Sequence, residues 1–214
     1  MNIRGNRTEY GFSVVIQAGG RSSRMGQDKG LIPFLGRPLI TRLVERLTGL
    51  GDELLLTTNA PESYANLHLP TFTDLLPGVG ALGGLYTALE AAHFPTVAVV
   101  ACDMPFLNPR LLRAQRDLLV QEERDIVIPR SAEGLEPLHA VYRRETCLPA
   151  VRAALEAGER KMTAWLGSVR VREMSEAEIK VYDPGLLSFV NANTPEELRE
   201  AEIIGQNQSS ESGT

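Results

Sequence analysis

The chain has 214 residues, 43% hydrophobic and 23% charged, enough to bury the core of one large domain. Its 22 Lys and Arg against 27 Asp and Glu leave a net charge of −5. That balance argues against a general nucleic-acid binder and confines any anion site to a local basic cluster. Two cysteines argue against a disulfide framework and for a reducing cytoplasm, and no apolar run approaches a bilayer's thickness.

In chain order, residues 1–12 lack the apolar stretch of a secretory signal and read as a flexible leader. "SVVIQA" reads as a buried strand. "LITRLVERLTGL" reads as a helix, with Leu39, Ile40, Leu43, Val44, Leu47 and Leu50 on one face. "ELLLTTN" is a strand, "GGLYTALEAAH" a helix led in by glycines, and "TVAVVAC" a strand covered on both faces. "NPRLLRAQRDLLVQEE" is helical, "DIVIP" and "LHAVY" are strands, and "CLPAVRAALEAG" is a helix. "TPEELREAEI" closes the domain, with Thr194 as cap and Pro195 in the first helical position. Residues 204–214 are polar and read as a disordered tail, leaving one domain over 13–203. This alternation predicts a single three-layer α/β/α domain on a mostly parallel sheet. Between His139 and Arg172 the pattern is less regular, which predicts antiparallel or inserted structure there.

Ligands in open α/β sheets bind beyond the carboxyl ends of the strands, and four segments sit at such ends. The first, "QAGGRSSRMGQDKG", joins glycines to Arg21, Arg24 and Lys29, a pattern suited to phosphate. It is not a Walker A loop: Gly20 and Gly26 have five residues between them where that motif has four, and no Ser or Thr follows Lys29. The second, "TTNAPE", offers Asn59 to a base or sugar. The third, "FTDLLPGVGALGG", holds a formal G-x-G-x-x-G at Gly78, Gly80 and Gly83, with Asp103 downstream as a dinucleotide fold would want. Pro70 and Pro77 in its lead-in preclude the central strand that such a motif requires, so the NAD reading falls. The better reading is a loop bringing backbone close to a planar base, with Asp74 as a polar partner. The fourth, "TVAVVACDMPFL", ends a buried strand in Asp103, a carboxylate suited to Mg²⁺ completed by substrate phosphates and waters. The histidines His68, His93 and His139 lack metal-ligand spacing, while Cys102 and Trp165 read as core.

These stretches, together with "EPLHAVY", "AGERKM" and "FVNANTPEEL", resemble the molybdenum cofactor guanylyltransferase family, within the nucleoside triphosphate transferases. The resemblance runs from about Val14 to Glu202. It implies a nucleotide-diphospho-sugar-transferase-like fold with a Rossmann-like nucleotide-binding half. The implied enzyme is cytoplasmic and Mg²⁺-dependent, and transfers GMP from GTP to the terminal phosphate of molybdopterin, releasing pyrophosphate. The resemblance further implies that Gln17, Ala18, Gly19 and Gly20 line the nucleotide, with Gly80 beside it. Lys29 and Arg24 would neutralise phosphate, Asn59 and Asp74 would contact guanosine, and Asp103 would hold Mg²⁺. Gly20 and Gly84 would leave space for guanine, where cytidylyl relatives have A-A-G. Asn191 and Asn193 would lie near the pterin acceptor. Two positions depart from the family pattern: Gln17 stands where Leu is frequent, its backbone being what the family mainly uses, and Ala81 stands where Pro is usual. Molybdenum-insertion proteins and apo-molybdoenzymes are the implied protein partners. The alternatives are a cytidylyl- or sugar-phosphate nucleotidyltransferase of the same superfamily, or a non-catalytic nucleotide-binding partner in cofactor delivery.

Overall fold

The computed structural model describes residues 11–18 and 28–211. Ten strands and six α-helices occur among them. β1 (Phe12–Ala18) leads through β2 (Pro33–Phe34) and β3 (Arg37–Pro38) to α1 (Leu39–Leu47). Next come β4 (Glu53–Thr58), β5 (Thr71–Phe72), α2 (Ala81–Ala91), β6 (Thr96–Ala101) and α3 (Pro109–Gln121). The chain continues with β7 (Ile126–Ser131), β8 (Gly134–Leu135), β9 (His139–Arg143) and α4 (Arg144–Glu156). It closes with β10 (Val171–Met174), α5 (Glu176–Lys180) and α6 (Pro195–Glu211).

The main sheet has the order β10-β7-β9-β6-β1-β4-β5, with β8 paired to β7. β1 runs parallel to both β4 and β6, β5 is parallel to β4, and β10 is parallel to β7. β9 is antiparallel to both β6 and β7, in the region where the sequence loses its regular alternation. The expected three layers are present. Strand alternation sends Val14 and Ile16 into the core under α1 and α3, and Val15 into the core under α2 and α4. The continuous apolar runs of β1 and β6 are thus accounted for, since both faces of these central strands are covered. A smaller cluster joins Ile32, Phe34 and Phe106 to Ala192 and Ala201 of the C-terminal segment.

Several boundaries differ from those the sequence suggests. β1 begins at Phe12, whose side chain is buried, so the domain reaches into the expected leader. α4 starts at Arg144, ahead of the expected Cys147, and carries Pro149 within it. α6 runs to Glu211, through most of the stretch that reads as a tail. Leu198, Ala201 and Ile204 pack on the Phe34 and Phe106 cluster, and Glu202 accepts from the Leu35 amide at 2.9 Å. Apolar contacts spaced along one face override a polar composition. Among the described residues no helix is long and apolar enough to cross a membrane.

Candidate active site

The register of β1 against its neighbours builds the floor of the site. Gln17 lies opposite Thr57 of β4 and Ala101 of β6, one residue from the carboxyl end of β1. The Cys102 amide donates to the Gln17 carbonyl at 3.2 Å, which carries the chain beyond β6 across the end of β1. Asp103 follows, 8% exposed. A cavity of about 360 Å³ opens at these strand ends, and Gln17, Lys29, Asp103, Asn191 and Asn193 all line it.

Lys29 reaches the cavity from a short 3-10 turn, Lys29–Leu31. Asp28 caps that turn by accepting from the Gly30 amide at 3.2 Å, and the buried Tyr64 hydroxyl donates to the same carboxylate. Burial, then the Asp28 carboxylate beside it, raises the Tyr64 phenol far above its ordinary value, so it stays a donor. The Lys29 ammonium donates to Asp103 Oδ2 at 2.8 Å and also to Asn193 Oδ1. Asn193 is held in turn by its amide, which donates to Glu197 Oε2 at 2.7 Å, and the Ala192 amide donates to the Asp103 carbonyl at 3.0 Å. Residues 191–193 are therefore stitched to the loop that carries Asp103. Asn191 donates to the Phe189 carbonyl at 3.3 Å and stands on the same wall.

The glycine-rich loop before α2 forms another side. Gly80 adopts φ +85° at the N-cap of α2, a conformation that favours glycine. One turn on, Gly84 packs against Gln17: a Cβ placed there would lie 2.1 Å from Gln17 Nε2. The space over Gly84, expected to face guanine, is thus occupied by the Gln17 carboxamide. Asn59 and Asp74 pair with each other at 2.9 Å and do not line the cavity. Burial raises the Asp74 carboxyl above its ordinary value, against the opposing effect of the Asn59 hydrogen bond. Ala18 is buried in the core, so any contact it makes to a nucleotide runs through its backbone. Gly19, Gly20 and Arg24 lie outside the described residues.

Two further carboxylates line the cavity without having been marked in the sequence. Asp28 adjoins Lys29 in "QDKG", where its capping role was the available signal. Glu136, which accepts from the Ser131 hydroxyl at 2.6 Å, opens the "EPLHAVY" stretch that the family resemblance includes, and its place there was the available signal. The assignments of Cys102 and Trp165 to the core hold: burial pushes the Cys102 thiol far above its ordinary value, and Trp165 packs against Tyr142. Among the described residues no group of three or more His, Cys, Asp or Glu is arranged to hold a metal ion. Mg²⁺ is usually bound by one or two protein carboxylates, with phosphates and waters completing its shell. Asp103, with Asp28 lining the same cavity, fits that requirement.

A basic side chain from a short turn and a carboxylate just past β6, meeting in one cavity, suit transfer of a charged phosphoryl-type group, where positioning and charge neutralisation dominate. The model of the MobA-like NTP transferase domain matches residues 14–172. A probable molybdenum cofactor guanylyltransferase from Pelotomaculum thermopropionicum is 36% identical over 193 residues, covering 90% of this chain and 93% of that protein. The molybdenum cofactor guanylyltransferase of Desulfosudis oleivorans is 34% identical over 189 residues, covering 88% of this chain and 93% of its own length. The crystal structure of molybdopterin-guanine dinucleotide biosynthesis protein A from Archaeoglobus fulgidus superposes with a TM-score of 0.80 at 28% identity. It covers 91% of this chain and 99% of that one.

Proposed function

The chain belongs to the MobA-like NTP transferase family, and on that premise we propose that it transfers GMP from GTP to molybdopterin. One observation carries the reading. Lys29 and Asp103 meet at 2.8 Å in a cavity at the ends of β1 and β6, with Asn193 bonded to the same ammonium.

In the proposed reaction an oxygen of the terminal phosphate of molybdopterin attacks the α-phosphorus of GTP. A new P–O bond forms as the α–β bridge breaks, and pyrophosphate takes the bonding electrons. Lys29, drawn from Asp103 towards phosphate, would neutralise charge on the departing group. Asp103, with Asp28, would hold a divalent cation, read here as Mg²⁺, which supplies Lewis-acid neutralisation of phosphate oxygens when bound. Arg24 is assigned a share of that neutralisation from the sequence alone. Asn59, Asp74, Ala18, Gly19, Gly20 and Gly80 are assigned to the nucleotide, and Asn191 and Asn193 to the acceptor side. No nucleophilic side chain is required, in keeping with the burial of Cys102.

Purified protein incubated with molybdopterin, Mg²⁺ and each nucleoside triphosphate in turn tests the reading. Pyrophosphate release and a GMP-bearing product with GTP alone are expected, both stopped by EDTA. Turnover with CTP in place of GTP would transfer the assignment to a cytidylyltransferase. Tight GTP binding without pyrophosphate release would assign a non-catalytic partner.

A further inference from the structure

Gln17 is 5% exposed, lines the cavity, and uses only half of its carboxamide. Its Nε2 donates to the Ala81 carbonyl at 3.3 Å, whereas its Oε1 is buried with no hydrogen-bond partner. A buried amide oxygen left unpaired is costly, and native proteins tolerate one chiefly where a ligand, water or function answers it. The placement is specific. Strand alternation turns Gln17 to the same face as Val15, towards α2, and only a glycine at position 84 admits the carboxamide against the first turn of that helix. Anchoring Nε2 on a backbone carbonyl fixes which end of the amide remains free, and that end is an acceptor.

We propose that the Gln17 carboxamide is the base-reading group of the site, its Oε1 accepting from the N1–H and 2-amino edge of guanine. The inference rests on the guanylyl reading and deepens it. Phosphate-binding groups have their own place, since Lys29 and Asp103 are paired with each other. Gln17, from β1, packs against the first turn of α2 beside the glycine-rich loop and lines the cavity that a purine held over that loop would enter. Guanine offers two adjacent donors on that edge; adenine, of the same size, offers an unprotonated N1 whose lone pair would face the Oε1 lone pair. An acceptor at this position therefore selects between two purines by a hydrogen bond against a repulsion, a stronger discrimination than shape alone.

The test compares wild type with Gln17→Met, which keeps side-chain length and removes both polar atoms. Dissociation constants for GTP and ATP are measured by calorimetry with Mg²⁺, and the melting temperature of the nucleotide-free protein is recorded. The expected result is about tenfold weaker GTP binding, the scale of one uncharged hydrogen bond, with ATP unchanged or tighter and melting unaffected. GTP affinity within twofold of wild type would overturn the assignment, as would equal losses for GTP and ATP, which would make Gln17 a structural support of α2. Wild-type protein that binds CTP in preference to GTP would overturn the guanylyl reading itself, an outcome separable from either of these.

Discussion

The Lys29 ammonium is shared between the Asp103 carboxylate and the Asn193 carboxamide, so the group best placed to neutralise phosphate is already aimed by two acceptors. Asp103→Ala should abolish measurable turnover while the protein still folds. The link between Ala192 and Asp103 runs through the main chain and survives the substitution. Lys29→Ala should lower kcat by about 10²–10³, the usual effect of deleting one preorganised donor, with a change of only a few degrees in melting temperature. Steady-state kinetics beside a thermal melt check both, and near-normal turnover in the Asp103 variant would remove it from the chemistry. Gly84→Ala makes a paired prediction. A Cβ there collides with Gln17, so it should weaken GTP binding in wild type and do so far less in a Gln17→Ala background. A different residue sets a pH response. His139 is fully buried with both ring nitrogens unpartnered, and burial pushes its imidazole down to about 4 from an ordinary 6.5. The unfolded chain therefore takes up a proton below pH 6.5 that the folded chain refuses until about pH 4, so stability is full above that window and lost as pH falls through it. Urea unfolding should show about 2 kcal/mol less stability at pH 5 than at pH 7 from this group. A His139→Met variant should have a flatter profile. Lys29 and Asp103 were legible because cations, glycines and a strand-end carboxylate coincide in one pattern. The Gln17 side chain was not, since an unpaired oxygen is a property of packing rather than of spacing.

At the scale of elements, the central strands and long helices were legible because each carries its own period: continuous apolar runs in β1 and β6, one apolar face in α1. What escaped was short or held from outside. β5 is two residues long, follows Pro70, and exists only by pairing with the edge of β4. α6 was cut short in the sequence because its second half is polar, and only its contacts with Phe34 and Leu35 extend it. The start of α6 matters to the site as well as to the fold. The Thr194 hydroxyl accepts from the Glu197 amide at 3.1 Å, while the Glu197 carboxylate accepts from the Asn193 amide, so one cap holds both the helix and the residue that aims Lys29. Thr194→Ala should cost about 1 kcal/mol of stability by denaturant unfolding. Because the same cap orders Asn193, kcat should fall with it, while Thr194→Ser should restore both. A stability loss with unchanged kcat would separate the helix cap from the site.

Across the whole molecule, the site is assembled from segments remote in sequence. Gln17 comes from the first strand, Lys29 from the following turn, Asp103 from the end of β6, and Asn193 from the entry to the last helix. The described parts of both ends of the chain are therefore joined by the same few polar contacts that a nucleotide would engage. Binding to such a site stabilises the fold as a unit. At a hundredfold excess over Kd the gain is about 2.7 kcal/mol, which for a domain of this length raises the melting temperature by about 5–10 °C. The distribution of that gain is the sharper measurement. GTP with Mg²⁺ should slow amide exchange at residues 101–104 and also at 191–198, because Lys29, once engaged by phosphate, remains bonded to Asn193 and through it to the α6 cap. In Lys29→Ala the slowing at 101–104 should persist in part, whereas that at 191–198 should disappear. Protection at 191–198 that is independent of Lys29 would mean that the C-terminal segment meets the nucleotide directly. Protection there that appears only on adding molybdopterin would mean that it serves the acceptor alone, with no energetic link to the nucleotide half.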